Sequence, residues 1–179
     1  DVSCTDSARA WIETALRHGA GWNDCILMSA AFHAKDTQEL AKIDATCRAL
    51  AASRERLQES DLQGGAFCTA SSQIAPLEIT GLSYPVAAGR AAALAGLPLD
   101  LTAQLYLHSF LSNLAAVAMR LVPLGQTQGQ SVISDLNSCC IEIAQQAVSA
   151  DIRDLSASAF LTDIAAMRHE TQYSRIFRT

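Results

Sequence analysis

Residues 100–122 read DLTAQLYLHSFLSNLAAVAMRLV, and the spacing of their apolar side chains decides the fold class. Leu101, Leu105, Leu111, Ala115 and Val122 form one stripe at helical steps; Leu107, Phe110, Leu114, Val117 and Leu121 form a second. A helix apolar on most sides belongs inside a bundle, wrapped by the others. Asp100 is placed to cap it and Pro123 to stop it. At about 1.5 Å per residue it spans roughly 33 Å, the width of a small domain.

Downstream, the loop Pro123-Leu124-Gly125-Gln126 leads to a helix carrying Val132 or Ile133, Leu136, Cys140, Ile143 and Ala147 on one face. A last helix begins after Asp154 or Ser156 and carries Phe160, Leu161, Ile164 and Met167. Upstream, Pro85 suits the first turn of an Ala-rich helix ending near Gly96. Thr5 or Asp6 caps a first helix that runs to about His18, and Asn23 or Asp24 caps a short second one with Ile26, Leu27, Ala30 and Ala31 on one face. From Asp36, a longer third helix continues through Leu40, Ile43, Cys47 and Leu50 to Leu57, with Arg54 as a cation in its one gap. Gly64 and Gly65 follow, and residues 69–83 read as a connection or as broken helix ends. No alternating strand and no solenoid-length repeat occurs. The expectation is an all-α domain, a compact helical bundle around a central apolar helix at about residues 101–122.

Composition agrees. The 179 residues are 50% hydrophobic and 17% charged, enough for one real core and too apolar for a disordered chain. A net charge of −5 removes the electrostatic case for binding nucleic acid or an anionic membrane. No run of eighteen apolar residues occurs, so no membrane span is expected. Six cysteines stand at 4, 25, 47, 68, 139 and 140 without a C-x-x-C pair, which points to a reducing compartment and a cytoplasmic location. Cys25, Cys47 and Cys140 read as small buried apolar residues. The sequence opens on Asp1 rather than Met.

Catalytic constellations fail one by one. His169-Glu170-Thr171-Gln172-Tyr173 has Tyr where the helical zinc-protease signature needs its second His. Gly125 to Ser131 lacks the Lys and the preceding strand of a phosphate loop. Gly81-Leu82-Ser83-Tyr84-Pro85 lacks the closing glycine of a nucleophile elbow, which leaves Ser83 as a turn or helix-start residue. Adjacent Cys139 and Cys140 point about 100° apart on a helix, so one inward and one surface thiol is expected rather than a soft-metal site. His18, His33, His108 and His169 show no ligand spacing, and His108 reads as a hydrogen-bonded core histidine.

The C-terminus differs from the body. Residues 168–179 (RHETQYSRIFRT) hold three Arg and one Glu, a net +2, against ten basic and seventeen acidic residues before them. Tyr173, Ile176 and Phe177 are costly to leave in water, and Arg and Tyr are typical of interface hot spots. The segment reads as one that orders on a partner, with Arg168, Arg175 and Arg178 able to grip carboxylates.

Those twelve residues resemble the C-terminal signature of the UreF family of urease accessory proteins, with Thr179 where Ser is common. Residues 120–130, Arg-Leu-Val-Pro-Leu-Gly-Gln-Thr-Gln-Gly-Gln, resemble the family's central motif. Weaker likeness extends through Trp11, Arg54-Glu55 and Tyr106 to Asn113, so it covers essentially the whole chain. The family's opening Leu-Pro and Ser-x-Gly-Leu-Glu-like stretch has no counterpart here, so the sequence reads as lacking the family's first helices.

The resemblance implies an all-α homodimer without catalytic activity or a cofactor of its own. It implies a scaffold that binds the accessory protein UreD (also called UreH) and recruits the GTPase UreG, so that apo-urease receives nickel in a GTP-dependent step. Residues 1–167 would be the UreF-like body and residues 168–179 a docking tail. Arg168, His169, Glu170, Gln172, Tyr173, Arg175, Phe177 and Arg178 are the expected contacts to the UreD-type protein. Arg120, Gln126 and Gln130 are the candidates for the groove of the G protein or metal path, although a cation near the end of a helix also complements its dipole. The rival reading is a nickel-carrying metallochaperone using His108, Cys139, Cys140 or His169.

Overall fold

The computed structural model describes residues 2–156 and 159–173. Every regular element among them is helical: α1 Thr5–His18, α2 Ala20–His33, α3 Thr37–Ala49, α4 Arg54–Ile74, α5 Tyr84–Leu94, α6 Leu99–Leu121, α7 Gln126–Ala147 and α8 Phe160–His169, with a 3₁₀ turn at Ile152–Asp154. The protein is all-α. No described helix is long and apolar enough to cross a membrane.

Helix α2 is enclosed along most of its length: Cys25, Ile26, Leu27, Met28 and Ala31 are all 2% exposed or less. Its neighbours on different sides are α1, α5, α6 and α7, so apolar residues all round its axis are satisfied. The main core joins Ile12 and Leu16 of α1, Ile26 and Met28 of α2, Leu107 and Leu111 of α6, and Val132, Leu136 and Ile143 of α7. Each large side chain removed from water this way contributes about 1.5–3 kcal/mol. A second cluster sets Leu27 and Ala31 against Ile43 of α3 and Val86 of α5.

In α6, only one side is buried, through Ala103, Tyr106, Leu107, Leu111, Ala115 and Ala118. Leu101, Leu105 and Leu121 of its expected stripes are 52, 58 and 52% exposed, and Phe110, Leu114 and Val117 are half-buried along a cavity. His108 is exposed, so it is no core histidine.

Other expectations are corrected by capping and close approach. The third helix does not run on to Leu57. It stops at Ala49, and Ser53 starts α4 by accepting the Arg56 N–H at 3.0 Å. Arg54 is exposed, and the cation that reaches inward is Arg56, half-buried beside Asp24. Gly64 and Gly65 lie inside α4, not beyond a helix end. A Cβ at Gly64 would stand 2.1 Å from the Leu82 carbonyl oxygen, so this glycine admits the chain that leads into α5. Cys139 and Cys140 are both buried, at 5 and 1% exposure, because α7 packs on both α1 and α6. In α8, Ile164 and Met167 are 44 and 53% exposed rather than inward.

Helices α2 and α5 cross backbone against backbone at Gly89. A Cβ at Gly89 would meet the Met28 carbonyl oxygen at 2.1 Å and its carbonyl carbon at 2.9 Å, both backbone atoms that cannot swing aside. Gly89→Ala therefore forces two core helices apart and should destabilise the protein by about 1–3 kcal/mol, despite the helix preference of alanine. Urea denaturation of the variant, compared with Gly65→Ala where nothing lies within 4 Å, checks this.

Candidate functional site

Three side chains from three helices meet deep in the bundle. The Asp24 carboxylate on α2 is 5% exposed. Its Oδ2 accepts from Arg56 Nη2 of α4 at 2.7 Å and from the Tyr106 hydroxyl of α6 at 2.7 Å. Arg56 Nη1 also donates to Glu59 at 3.1 Å, one turn further along α4. Burial pushes the Asp24 carboxyl upward against the pull of Arg56 and Tyr106. The carboxylate in turn raises the guanidinium, while burial holds the Tyr106 phenol well above its usual range.

This group lines a cavity of about 350 Å³ whose walls also include Trp11, Cys47, Tyr84, Phe110, Asn113 and Leu114, together with Thr162, Asp163 and Ala166 of α8. Tyr84 lies between Phe67 and Tyr106, its ring centroid 5.7 and 5.3 Å from theirs. A neighbouring network closes the approach from α3. Asp44 Oδ1 accepts both the Ser83 N–H and hydroxyl at 2.7 Å, and Oδ2 accepts from Arg48 Nε at 2.7 Å. Arg48 continues to Asp61 and to the Gly81 carbonyl. Ser83 is thus a buried helix-start residue, as its sequence context suggested.

The C-terminal candidates divide. His169 Nδ1 stands 2.5 Å from Glu55 Oε2, and Glu170 Oε1 accepts the Arg54 N–H at 2.5 Å, so both are engaged by the first turn of α4. Arg168 and Gln172 are exposed, and Tyr173 is fully so. Arg175, Phe177 and Arg178 lie outside the described residues. Arg120, Gln126 and Gln130 are all exposed at the α6–α7 corner. That corner is tight because Gly129 packs on Met119, whose sulfur would lie 2.2 Å from an added Cβ. Among the described residues, no hydrogen bond or ion pair joins this corner to the tail. Nor do any three His, Cys, Asp or Glu side chains there form a group able to hold a metal ion.

Sequence reasoning missed the Asp24–Arg56–Tyr106 group. The available signal was a lone carboxylate, Asp24, directly before the apolar run Cys25–Met28, which calls for a cation from another helix; Arg54 lies two positions short of that cation.

Asp24→Ala leaves the buried Tyr106 hydroxyl without its acceptor and Arg56, whose side chain is 23% exposed, with Glu59 alone, at a cost of about 1–3 kcal/mol. Thermal unfolding should show a lower melting temperature; an unchanged one would mean that the carboxylate contributes nothing to holding α2, α4 and α6 together.

Comparison with known proteins gives a consistent result. The family model described as UreF matches residues 2–137. The urease accessory protein UreF of Ruegeria pomeroyi is 54% identical over 179 residues, all of this chain and 82% of that protein. The UreF proteins of Roseobacter denitrificans and Cereibacter sphaeroides strain KD131 are 45 and 43% identical, again over all of this chain and over 80 and 84% of theirs.

Proposed function

The chain belongs to the UreF family of urease accessory proteins, and from that premise we propose that it acts in urease maturation as a non-enzymatic scaffold. It docks a UreD-type (UreH-type) accessory protein and recruits the GTPase UreG. The assembly then supports GTP-dependent nickel insertion into apo-urease in the cytoplasm. The observation that carries this reading is the likeness to relatives called UreF, 54 and 45% identical in alignments that span all 179 residues.

The physical features fit a docking role. The exposed side of α8 carries Ile164 and Met167, and Tyr173 stands fully in solvent just beyond it. Arg168 is exposed, with no ion-pair partner among the described residues. We therefore divide the chain into a body, residues 1–167, and a docking segment, residues 168–179. In that segment, Arg168, Gln172, Tyr173, Arg175, Phe177 and Arg178 face the UreD-type protein, while His169 and Glu170 set the segment on α4. Exposed Leu94, Leu97, Leu101 and Leu105, 43–58% accessible, offer an apolar seam for a homodimer. Arg120, Gln126 and Gln130 form a cationic, amide-rich corner suited to the G protein.

Deleting residues 168–179 should abolish capture of the UreD-type protein in a pull-down while leaving the helical circular-dichroism signal in place; normal capture would refute tail docking. Arg120→Ala should reduce UreG recruitment and urease activation at least several-fold with no change in melting temperature. Full activation by that variant would reduce Arg120 to a helix-end cation.

A further inference from the structure

Three consecutive residues open α4, and each is tied to a different part of the molecule. The Arg54 N–H donates to Glu170 Oε1, Glu55 Oε2 stands 2.5 Å from His169 Nδ1, and Arg56 reaches inward to Asp24. The turn is itself capped by Ser53, whose hydroxyl accepts the Arg56 N–H at 3.0 Å. It is a fixed base: the core holds one side, and the other offers a carboxylate and a backbone donor to the C-terminal segment.

Backbone bonds carry this order further along the chain. The Glu170 N–H donates to the Ala166 carbonyl at 3.3 Å, the Thr171 N–H to that of Arg168 at 3.3 Å and the Gln172 N–H to that of His169 at 3.1 Å. The Thr171 hydroxyl adds a bond to the Arg168 carbonyl at 3.0 Å. Tyr173, fully exposed, follows directly on this turn. The His169–Glu55 contact is too wet to matter much for folding: its side chains are 33 and 26% exposed, and pairs of that kind contribute little. What it fixes is the place of the helix end, and a segment placed before it docks has less freedom to lose.

We propose that Glu55, 114 positions before His169 in the sequence, is a positioning residue for capture of the UreD-type protein: its carboxylate fixes His169 and, through the turn at residues 170–172, sets where Tyr173 stands. This rests on the tail-docking reading above and deepens it. Glu55 acts through His169 and need not touch the partner.

The experiment is a quantitative pull-down of the UreD-type protein at graded concentrations by the full chain. Glu55→Ala, His169→Ala, the double variant and the deletion of residues 168–179 are measured side by side. Each single substitution should weaken capture about three- to tenfold with the melting temperature unchanged. The double variant should lose no more than either single one, since both remove the same contact, and a merely structural role would not produce that coupling. Wild-type capture by Glu55→Ala, beside a deletion that abolishes capture, overturns the proposal and leaves tail docking standing. Losses that multiply in the double variant overturn it too, because His169 would then act independently of Glu55. So does a loss matched by a fall in melting temperature, which would mark general destabilisation. A deletion that captures normally refutes tail docking itself, and the role of Glu55 falls with it.

Discussion

Asp24 has exchanged its water for a guanidinium and a phenol supplied by other helices, and the bundle is organised around that exchange. The carboxylate sits on the helix that the others enclose, so its partners must arrive from outside: Arg56 from α4 and Tyr106 from α6, each at 2.7 Å. An ion pair with one partner buried and the other half-buried adds little net stability over an apolar substitute, which makes it a device for uniqueness rather than strength. Only one register of α4 against α2 brings position 56 to position 24. The same register sets Ser53 at the start of α4 and Glu55 within reach of His169.

The helices legible in the sequence are those whose pattern has no competitor. Pro85 marks the start of α5 and Pro123 the end of α6, and the three-four spacing from Val132 to Ala147 follows the buried face of α7. The α3–α4 break was hidden because Leu50 and Leu57 continue the helical period across it, while a single serine cap ends the continuity. Gly64 gave the opposite error: a local helix-stop signal is overridden by a carbonyl from position 82, which no local reading can foresee. Arg54 continues the apolar period, yet the cation that reaches inward is Arg56, since two positions along a helix turn a side chain by about 200°. The vicinal cysteines were split between inside and outside on geometry alone, yet two neighbouring helices cover both. The tail motif was recognisable as a string of residues; its tether to α4 depends on Glu55 and Arg54, more than a hundred positions away.

Body and tail are therefore less separate than composition suggests. The acidic body lends the basic C-terminal segment a specific seat at the first turn of α4. The scaffold role proposed above would benefit from such an arrangement, since a segment already held at His169 and Glu170 has less left to order on docking. The α6–α7 corner, exposed at Arg120, Gln126 and Gln130, lies on other helices.

Burial of the thiols has a chemical corollary. Apolar surroundings push Cys25 far up, Cys140 to about 12 and Cys47 to about 11, with Cys68 and Cys139 shifted the same way. At neutral pH these five sulfurs keep their protons and are poor ligands and poor nucleophiles. Cys4 alone is exposed, and the Ser7 hydroxyl draws it toward the thiolate. A chain placed beside a thiophilic cargo would thus offer it one sulfur, at the start of α1, and none along its interior, so stray capture and oxidative cross-linking are confined to a single address.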